Sequence, residues 1–286
     1  MEMPVEFDGV RVHPCADAAQ AGKLAGDAAY AAIHRAVEAR GEARVIFASA
    51  PSQETMLARL VDLDCPWEHV VAFHMDEYVG LPSSDPRSFS GWLADRLPIE
   101  RFAAFHPIDG TAEDPRAELA RYGALVSAAP IDVVCMGFGM NGHIAFNEPG
   151  DTHFDDPRPI REVVLDIVSR QQQVDEDCFD SLEEVPTAAL TLTVPTLVQA
   201  GTVIVTVLGS AKARAVRRAL TGEVGSDCPG SAIRGHKDAA VYLDDGAARL
   251  LRALPATPGP PARHLRIAGA APVPMPDQAA DRGPEG

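Results

Sequence analysis

The chain has 286 residues, 46% of them hydrophobic, enough to bury a full core in one large domain or two small ones, and its 41 acidic against 25 basic residues give a net charge of −16. That balance argues against nucleic acid or an anionic membrane surface as the main partner and points to a small molecule. Five scattered cysteines without a CxxC pair, together with the lack of an export signal or a spanning-length apolar run, read as a cytoplasmic protein with neither a disulfide framework nor a zinc site.

In chain order, an alanine-rich segment with polar residues at helical spacing predicts a helix over about 16–39, followed by a β-rich strand at 45–48. A helix over 53–62 and a strand at 69–74 come next, then a helix over 115–127 and a strand at 131–136. A strand at 202–208, a helix over 210–221 with Ser210 as a plausible N-cap, a strand at 239–243 and a helix over 246–253 complete the series. The alternation predicts an α/β fold of Rossmann-like build, a largely parallel sheet with helices on both faces. A single domain is expected over 1–254, with no internal repeat. From Pro255 to the end the composition turns to Pro, Ala and Gly with Arg and Asp, too little apolar surface to offset ordering entropy, so 255–286 is expected to be a disordered tail.

Two strand ends carry the chemistry. Gly137-Phe138-Gly139-Met140-Asn141-Gly142-His143 continues through Ile144-Ala145-Phe146-Asn147-Glu148-Pro149-Gly150, packing an imidazole, a carboxylate and two amides into one turn. Its glycines permit backbone conformations closed to other residues and close approach to a ligand. In open α/β sheets the ligand crevice lies at such carboxyl ends. His74-Met75-Asp76-Glu77-Tyr78-Val79-Gly80-Leu81-Pro82 forms a second strand-end loop. Taken alone, Asp-Glu-Tyr reads as a solvated loop more often than as a reactive site, and the pairing of two such loops reverses that preference. If the strands at 69–74 and 131–136 are neighbours, Asp76 and His143 face one crevice as a carboxylate base and an imidazole about one sugar ring apart.

Both loops, with Val185-Pro186 and Leu208-Gly209-Ser210-Ala211-Lys212, resemble the glucosamine-6-phosphate deaminase family, and the likeness runs over roughly 10–250. Members of that family open the ring of an amino-sugar phosphate, move a proton between C2 and C1, and expel ammonia to leave a ketose phosphate. The resemblance implies that Asp76 takes the C2 proton and that His143 assists ring opening, with Glu148 and Asn141 completing the catalytic set. An asparagine at 141, where some members have aspartate, leaves more of the support of an imidazolium to Glu148. Lys212 matches a phosphate-contacting lysine at a strand-to-helix turn, a position that suits an anion in its own right. Glu77, Gly139 and Gly142 are counted with the substrate-binding residues. No metal or organic cofactor is expected, since neither a nucleotide fingerprint nor a metal-ligand cluster is present.

Two departures concern the phosphate. Where the family has a Thr-Gly-Gly/Ser-Thr-Pro loop, this chain reads Ala48-Ser49-Ala50-Pro51-Ser52-Gln53-Glu54-Thr55. Pro51 removes a backbone donor and Glu54 adds a negative charge. Ser49, Ser52 and Thr55 are expected to supply hydroxyls instead, or Ser52 simply to cap the next helix. The family's phosphate-gripping arginine is absent, Asp177-Cys178-Phe179-Asp180 standing in its place, and Arg170 is the candidate to reach the site from Ser169-Arg170-Gln171-Gln172-Gln173, whose glutamines read as an altered pocket wall. The expected activity is deamination with aldose-ketose isomerisation of glucosamine 6-phosphate or a close variant. The rivals are a sugar-lactone hydrolase of the 6-phosphogluconolactonase kind and a sugar-phosphate sensor without catalysis. A homo-oligomer is left open.

Overall fold

The computed structural model describes residues 4–252; the tail expected over 255–286 lies outside the described residues. Its elements are β1 (Val5–Phe7), β2 (Val10–Pro14), α1 (Ala18–Arg40), β3 (Ala43–Phe47), α2 (Glu54–Asp62), β4 (Val70–His74), β5 (Asp76–Tyr78), α3 (Phe89–Ala94), β6 (Ala104–His106) and α4 (Pro115–Ser127). They continue with β7 (Val133–Met136), β8 (Ile160–Val164), α5 (Ile167–Asp175), β9 (Ala188–Leu192), α6 (Val194–Val198), β10 (Thr202–Val207), α7 (Ala213–Thr221), β11 (Ala239–Leu243) and α8 (Asp245–Arg252). Every strand and helix expected from the pattern forms, with ends shifted by a few residues.

The main sheet runs β1-β2-β11-β10-β7-β3-β4-β6, antiparallel only between β1 and β2. It is the largely parallel, Rossmann-like α/β sheet expected. Its central strands are apolar on both sides because both faces are covered. Val45, Phe47, Val133 and Cys135 pack with Ala21, Ala25, Ile33, Met56 and Leu57 of α1 and α2. Their neighbours Ile46, Val134 and Met136 point to the other face, with Tyr122, Leu197 and Val216 of α4, α6 and α7. The period-2 alternation of strand side chains thus divides one set of strands between two cores.

Asp17 caps α1 by accepting from the amide of Gln20, and Gly41 ends it in the left-handed region at φ 79°. Ser210 does not act as the N-cap expected of it. Residues 210–212 form a 3-10 turn ahead of α7 with no side-chain cap, and the Asp244 carboxylate instead accepts from the Gly209 amide at 2.9 and 3.0 Å. Three strands outside the sequence pattern, β5, β9 and β8, make a second, antiparallel sheet. The segment around Asp76, expected as a loop, is therefore a strand. No helix among the described residues is long and apolar enough to cross a membrane.

Candidate active site

From β3 the chain builds β4 and β6 on one side, then returns to place β7 on the other. At such a reversal the loops leaving adjacent strands part and open a crevice. Here Ala48–Ser52 after β3 and Gly137, Phe138, Gly139 and His143 after β7 line a cavity of about 750 Å³ together with the ends of β4 and β10. This size suits a small ligand. Gln53, fully buried, ties three of these strand ends together, its Nε2 lying 3.1 Å from Ser52 Oγ and 3.3 Å from the carbonyls of Met136 and Thr206.

The strands at 69–74 and 131–136 are not neighbours, because β3 stands between β4 and β7. Asp76 and His143 nonetheless line the same cavity, and β9 brings them there. Asp76 pairs with Thr191 in the second sheet, and Thr191 Oγ1 accepts from the Phe146 amide at 3.1 Å. Asn147 Nδ2 adds bonds to the carbonyls of Leu192 at 2.8 Å and Ile144 at 2.9 Å. One short strand thus holds both reactive segments.

Behind Asp76, the ring of His74 is buried: Nε2 accepts from the Ile108 amide at 2.8 Å, leaving Nδ1–H to donate to the Asp76 carbonyl at 2.8 Å. Burial lowers the His74 pKa to about 4, against the opposing pull of that carbonyl, so the ring is a neutral brace. The Asp76 side chain has no hydrogen-bond donor among the described residues, and burial, then the charge of Glu77, raises its pKa well above the ordinary carboxylate range. A carboxylate of raised basicity open to a cavity is suited to removing a carbon-bound proton.

The loop after β7 is wound tightly around His143. The Gly139 amide donates to the His143 carbonyl and the Gly142 amide to the Gly139 carbonyl, each at 3.0 Å. A Cβ on Gly139 would run into the His143 ring, and Gly142 has φ 93°, so both positions need glycine. Ala145 also sits in the left-handed region, at φ 52°, a strain of about 1–3 kcal/mol held by the surrounding bonds. His143 Nδ1 lies 3.1 Å from Glu148 Oε1 and 3.2 Å from Ser169 Oγ, while Ser169 donates a short hydrogen bond to the same Glu148 oxygen. Asn141 Nδ2 donates to Glu148 Oε2 at 2.6 Å. Burial would raise the Glu148 pKa, but the hydrogen bond and charge of His143 and the bonds from Ser169 and Asn141 outweigh it and bring it to about 2. Glu148 is therefore an ionised anchor at neutral pH.

Of the residues singled out in the sequence, Asp76, His143, Gly139, Ser49, Ser52 and Lys212 line the cavity. Asn141 and Glu148 stand behind His143, and Asn141 orients Glu148 and accepts from the His143 amide at 3.0 Å rather than touching the ring. Ser52 does not cap α2. Glu77 is not at the cavity. It is 1% exposed, and its carboxylate accepts from the amides of Tyr78, Phe89 and Ser90, each at 3.0 Å, and from Ser90 Oγ at 2.9 Å, fixing the start of α3. Gly142 lies against Cys228 away from the cavity. Arg170 does not reach it either; its guanidinium donates to the carbonyls of Leu182 and Val185 at 2.6 and 2.9 Å.

The sequence reading missed Ser169 and Glu176. With Gln172 and Gln173 they form one face of α5 and its end at spacings of three, four and seven residues, a polar stripe that helical periodicity makes visible once the helix is known. Gln172, Gln173 and Glu176 line the cavity. Among the described residues no group of three or more His, Cys, Asp or Glu side chains is gathered to hold a metal ion.

A carboxylate and a carboxylate-backed imidazole at the switch point of an α/β sheet place this chain among proteins built for proton transfer on a small ligand. The family model described as glucosamine-6-phosphate isomerases/6-phosphogluconolactonase matches residues 16–242, and the chain belongs to that family. A glucosamine-6-phosphate deaminase of Listeria monocytogenes is 37% identical over 232 residues, 80% of this chain and 97% of the relative. One of Streptococcus sanguinis is 34% identical over 215 residues, 75% of this chain and 89% of the relative. The solved structure of a monomeric glucosamine-6-phosphate deaminase matches with a TM-score of 0.76 and 30% identity over 84% of this chain and 99% of its own. The 6-phosphogluconolactonase of Trypanosoma brucei, at 20% identity and a TM-score of 0.68 over 86% of this chain and all of its own, shares the fold.

Proposed function

We propose that the chain isomerises an amino-sugar phosphate, glucosamine 6-phosphate or a close variant, from aldose to ketose and releases its amine as ammonia. The observation that carries this reading is that Asp76, a buried carboxylate without a donor among the described residues, shares a cavity with His143, whose ring is backed by the ionised Glu148. His143 takes the O1 proton of the cyclic sugar and returns a proton to the ring oxygen, which opens the ring to the C1 aldehyde. Asp76 removes the C2 proton, and the electron pair forms the C1–C2 double bond of an enolamine as O1 is protonated. Proton return to C1 leaves an iminium at C2. Water adds there, the C–N bond breaks, and ammonia leaves behind the ketose carbonyl. Imidazole suits the first step because it titrates near neutrality and both gives and takes a proton. Asp76 suits the second because its raised basicity lies nearer the working pH than that of an ordinary carboxylate.

Ser49, Ser52 and Lys212 face the phosphate in this scheme, and no cofactor enters it. Five unpaired cysteines suit a reducing cytosol as its compartment. The test is incubation with glucosamine 6-phosphate in deuterated water, following ammonia and ketose phosphate. One deuteron at C1 of the product for each ammonia released, or partial transfer of the C2 hydrogen, is the expected result. Opening of a sugar lactone without ammonia release from any amino sugar assigns the chain to lactone hydrolysis, and binding without turnover of either assigns it to sensing.

A further inference from the structure

The cavity lining carries five carboxylates, Glu54, Asp76, Glu176, Asp177 and Asp244, against three cations, Arg87, Arg96 and Lys212. Each cation already has an anionic partner. Lys212 Nζ lies 2.8 Å from Glu176 Oε1, Arg96 lies 2.7 Å from Glu54, and Arg87 reaches Asp85 at 2.8 Å and Glu184 at 3.0 Å. The Lys212–Glu176 pair is the most enclosed, its side chains 12% and 26% exposed, so water and salt screen it least. Glu176 is also built into the wall. The same Oε1 accepts from Gln172 Nε2 at 2.9 Å, and Gln172 Oε1 in turn accepts from the Met140 amide at 3.2 Å. The carboxylate is thus tied to the loop that carries His143.

We propose that Glu176 is a specificity-determining residue, holding Lys212 in competition with the anionic group of the substrate. The proposal rests on the deaminase reading for the identity of that substrate, though not for the ion pair itself. A phosphate dianion that approaches Lys212 must displace the Glu176 carboxylate or lie beside it, exchanging one charge-assisted contact for another. Asp177, next in the chain and in the same lining, adds like charge. The phosphate therefore contributes little to binding, and a phosphorylated amino sugar and its unphosphorylated parent are used with similar efficiency.

The experiment compares the wild type with Glu176→Gln and Glu176→Ala, using ammonia release from glucosamine 6-phosphate and from glucosamine, and calorimetric titration with inorganic phosphate. Glutamine keeps an acceptor for Gln172 while removing the charge, and the melting temperature of each variant reports its folding. The ratio of kcat/KM for the two sugars is expected to rise roughly 10- to 150-fold in Glu176→Gln, through KM, which is the worth of one charge-assisted contact. The Kd for inorganic phosphate should tighten in proportion, and adding Lys212→Ala should cancel both gains. Unchanged ratios and phosphate Kd in both variants overturn the proposal, as does a gain that survives without Lys212. Tighter phosphate binding in Glu176→Gln with no ammonia from either sugar keeps the proposal and overturns the deaminase reading. Ammonia release with unaltered phosphate affinity does the reverse.

Discussion

The two ends of the cavity are held in different ways. Around Asp76 and His143 the supports are buried and largely backbone-bound: His74 braces the Asp76 carbonyl, Thr191 holds the Phe146 amide, and Glu148 collects bonds from Ser169 and Asn141. Elsewhere on the lining, Lys212 after β10 and Arg87 and Arg96 on either side of α3 are held by side-chain carboxylates on long, partly exposed arms. Backbone-bound groups lose little further freedom when a ligand arrives, whereas long ion-paired arms can exchange partners. The fold thus preorganises the proton transfers and leaves recognition of the remote group to contacts that one substitution can retune.

The largest effect expected at the rigid end is from Asp76→Asn, which removes the base while keeping its shape. Turnover should fall about 10²- to 10⁴-fold, with loss of solvent-deuterium incorporation at C1. The same substitution should raise stability at neutral pH. The Asp76 pKa is raised in the fold, so the folded state binds its proton more tightly than the unfolded chain, and stability is lost as the pH rises above the ordinary carboxylate value. Melting curves should show the variant above the wild type at pH 7 and the two converging in acid. A variant that melts lower at pH 7 would contradict the burial argument.

Next comes Gly139→Ala. Its new methyl runs into the His143 ring, and a displacement of about 1 Å is enough to cost about 10²-fold in turnover. Steady-state kinetics check this, with the expected loss in kcat more than in KM. Glu148→Gln should cost roughly 10- to 150-fold, the worth of a charge-assisted bond to the imidazolium. Because the folded Glu148 pKa is depressed to about 2 from 4.5, its contribution to stability is complete above about pH 4.5 and disappears as the pH falls through 2. Acid unfolding of wild type and variant should therefore converge in that window. A constant difference across it would show that the carboxylate carries no such linkage.

Much of the rigid end was legible in the sequence because strand, glycine turn and reactive side chain follow one another locally, as in 131–143. The order of the strands was not. Nothing local to 69–74 or 131–136 says that β3 lies between them, since adjacency is a property of chain crossovers. Ala188–Leu192, which brings Asp76 and the His143 loop together, is a short run, apolar but for Thr191 and without alternation, and such a run does not announce itself as strand or helix. Glu77 looked reactive because it follows Asp76, but successive strand residues face opposite ways, and it holds the start of α3. At the adaptable end, the missing arginine and the altered serine turn were visible, while the Glu176 partner of Lys212 was not, because it depends on where the end of α5 docks.

The smallest effect on activity is expected from Arg170→Ala, and it separates the two ends most cleanly. If Arg170 gripped the substrate, its loss would raise KM for glucosamine 6-phosphate roughly 10- to 150-fold. Its guanidinium instead donates to the carbonyls of Leu182 and Val185, fastening the segment that follows α5. Removing it leaves two partly buried carbonyls without their charged donor, a loss of about 1–3 kcal/mol in stability. KM should remain within about threefold of the wild type at a temperature where the variant is fully folded, a change of less than one charged contact. The midpoint of denaturant unfolding should fall. A sharp rise in KM with an unmoved midpoint would return Arg170 to the cavity and make the β10 end a phosphate cradle rebuilt from α5.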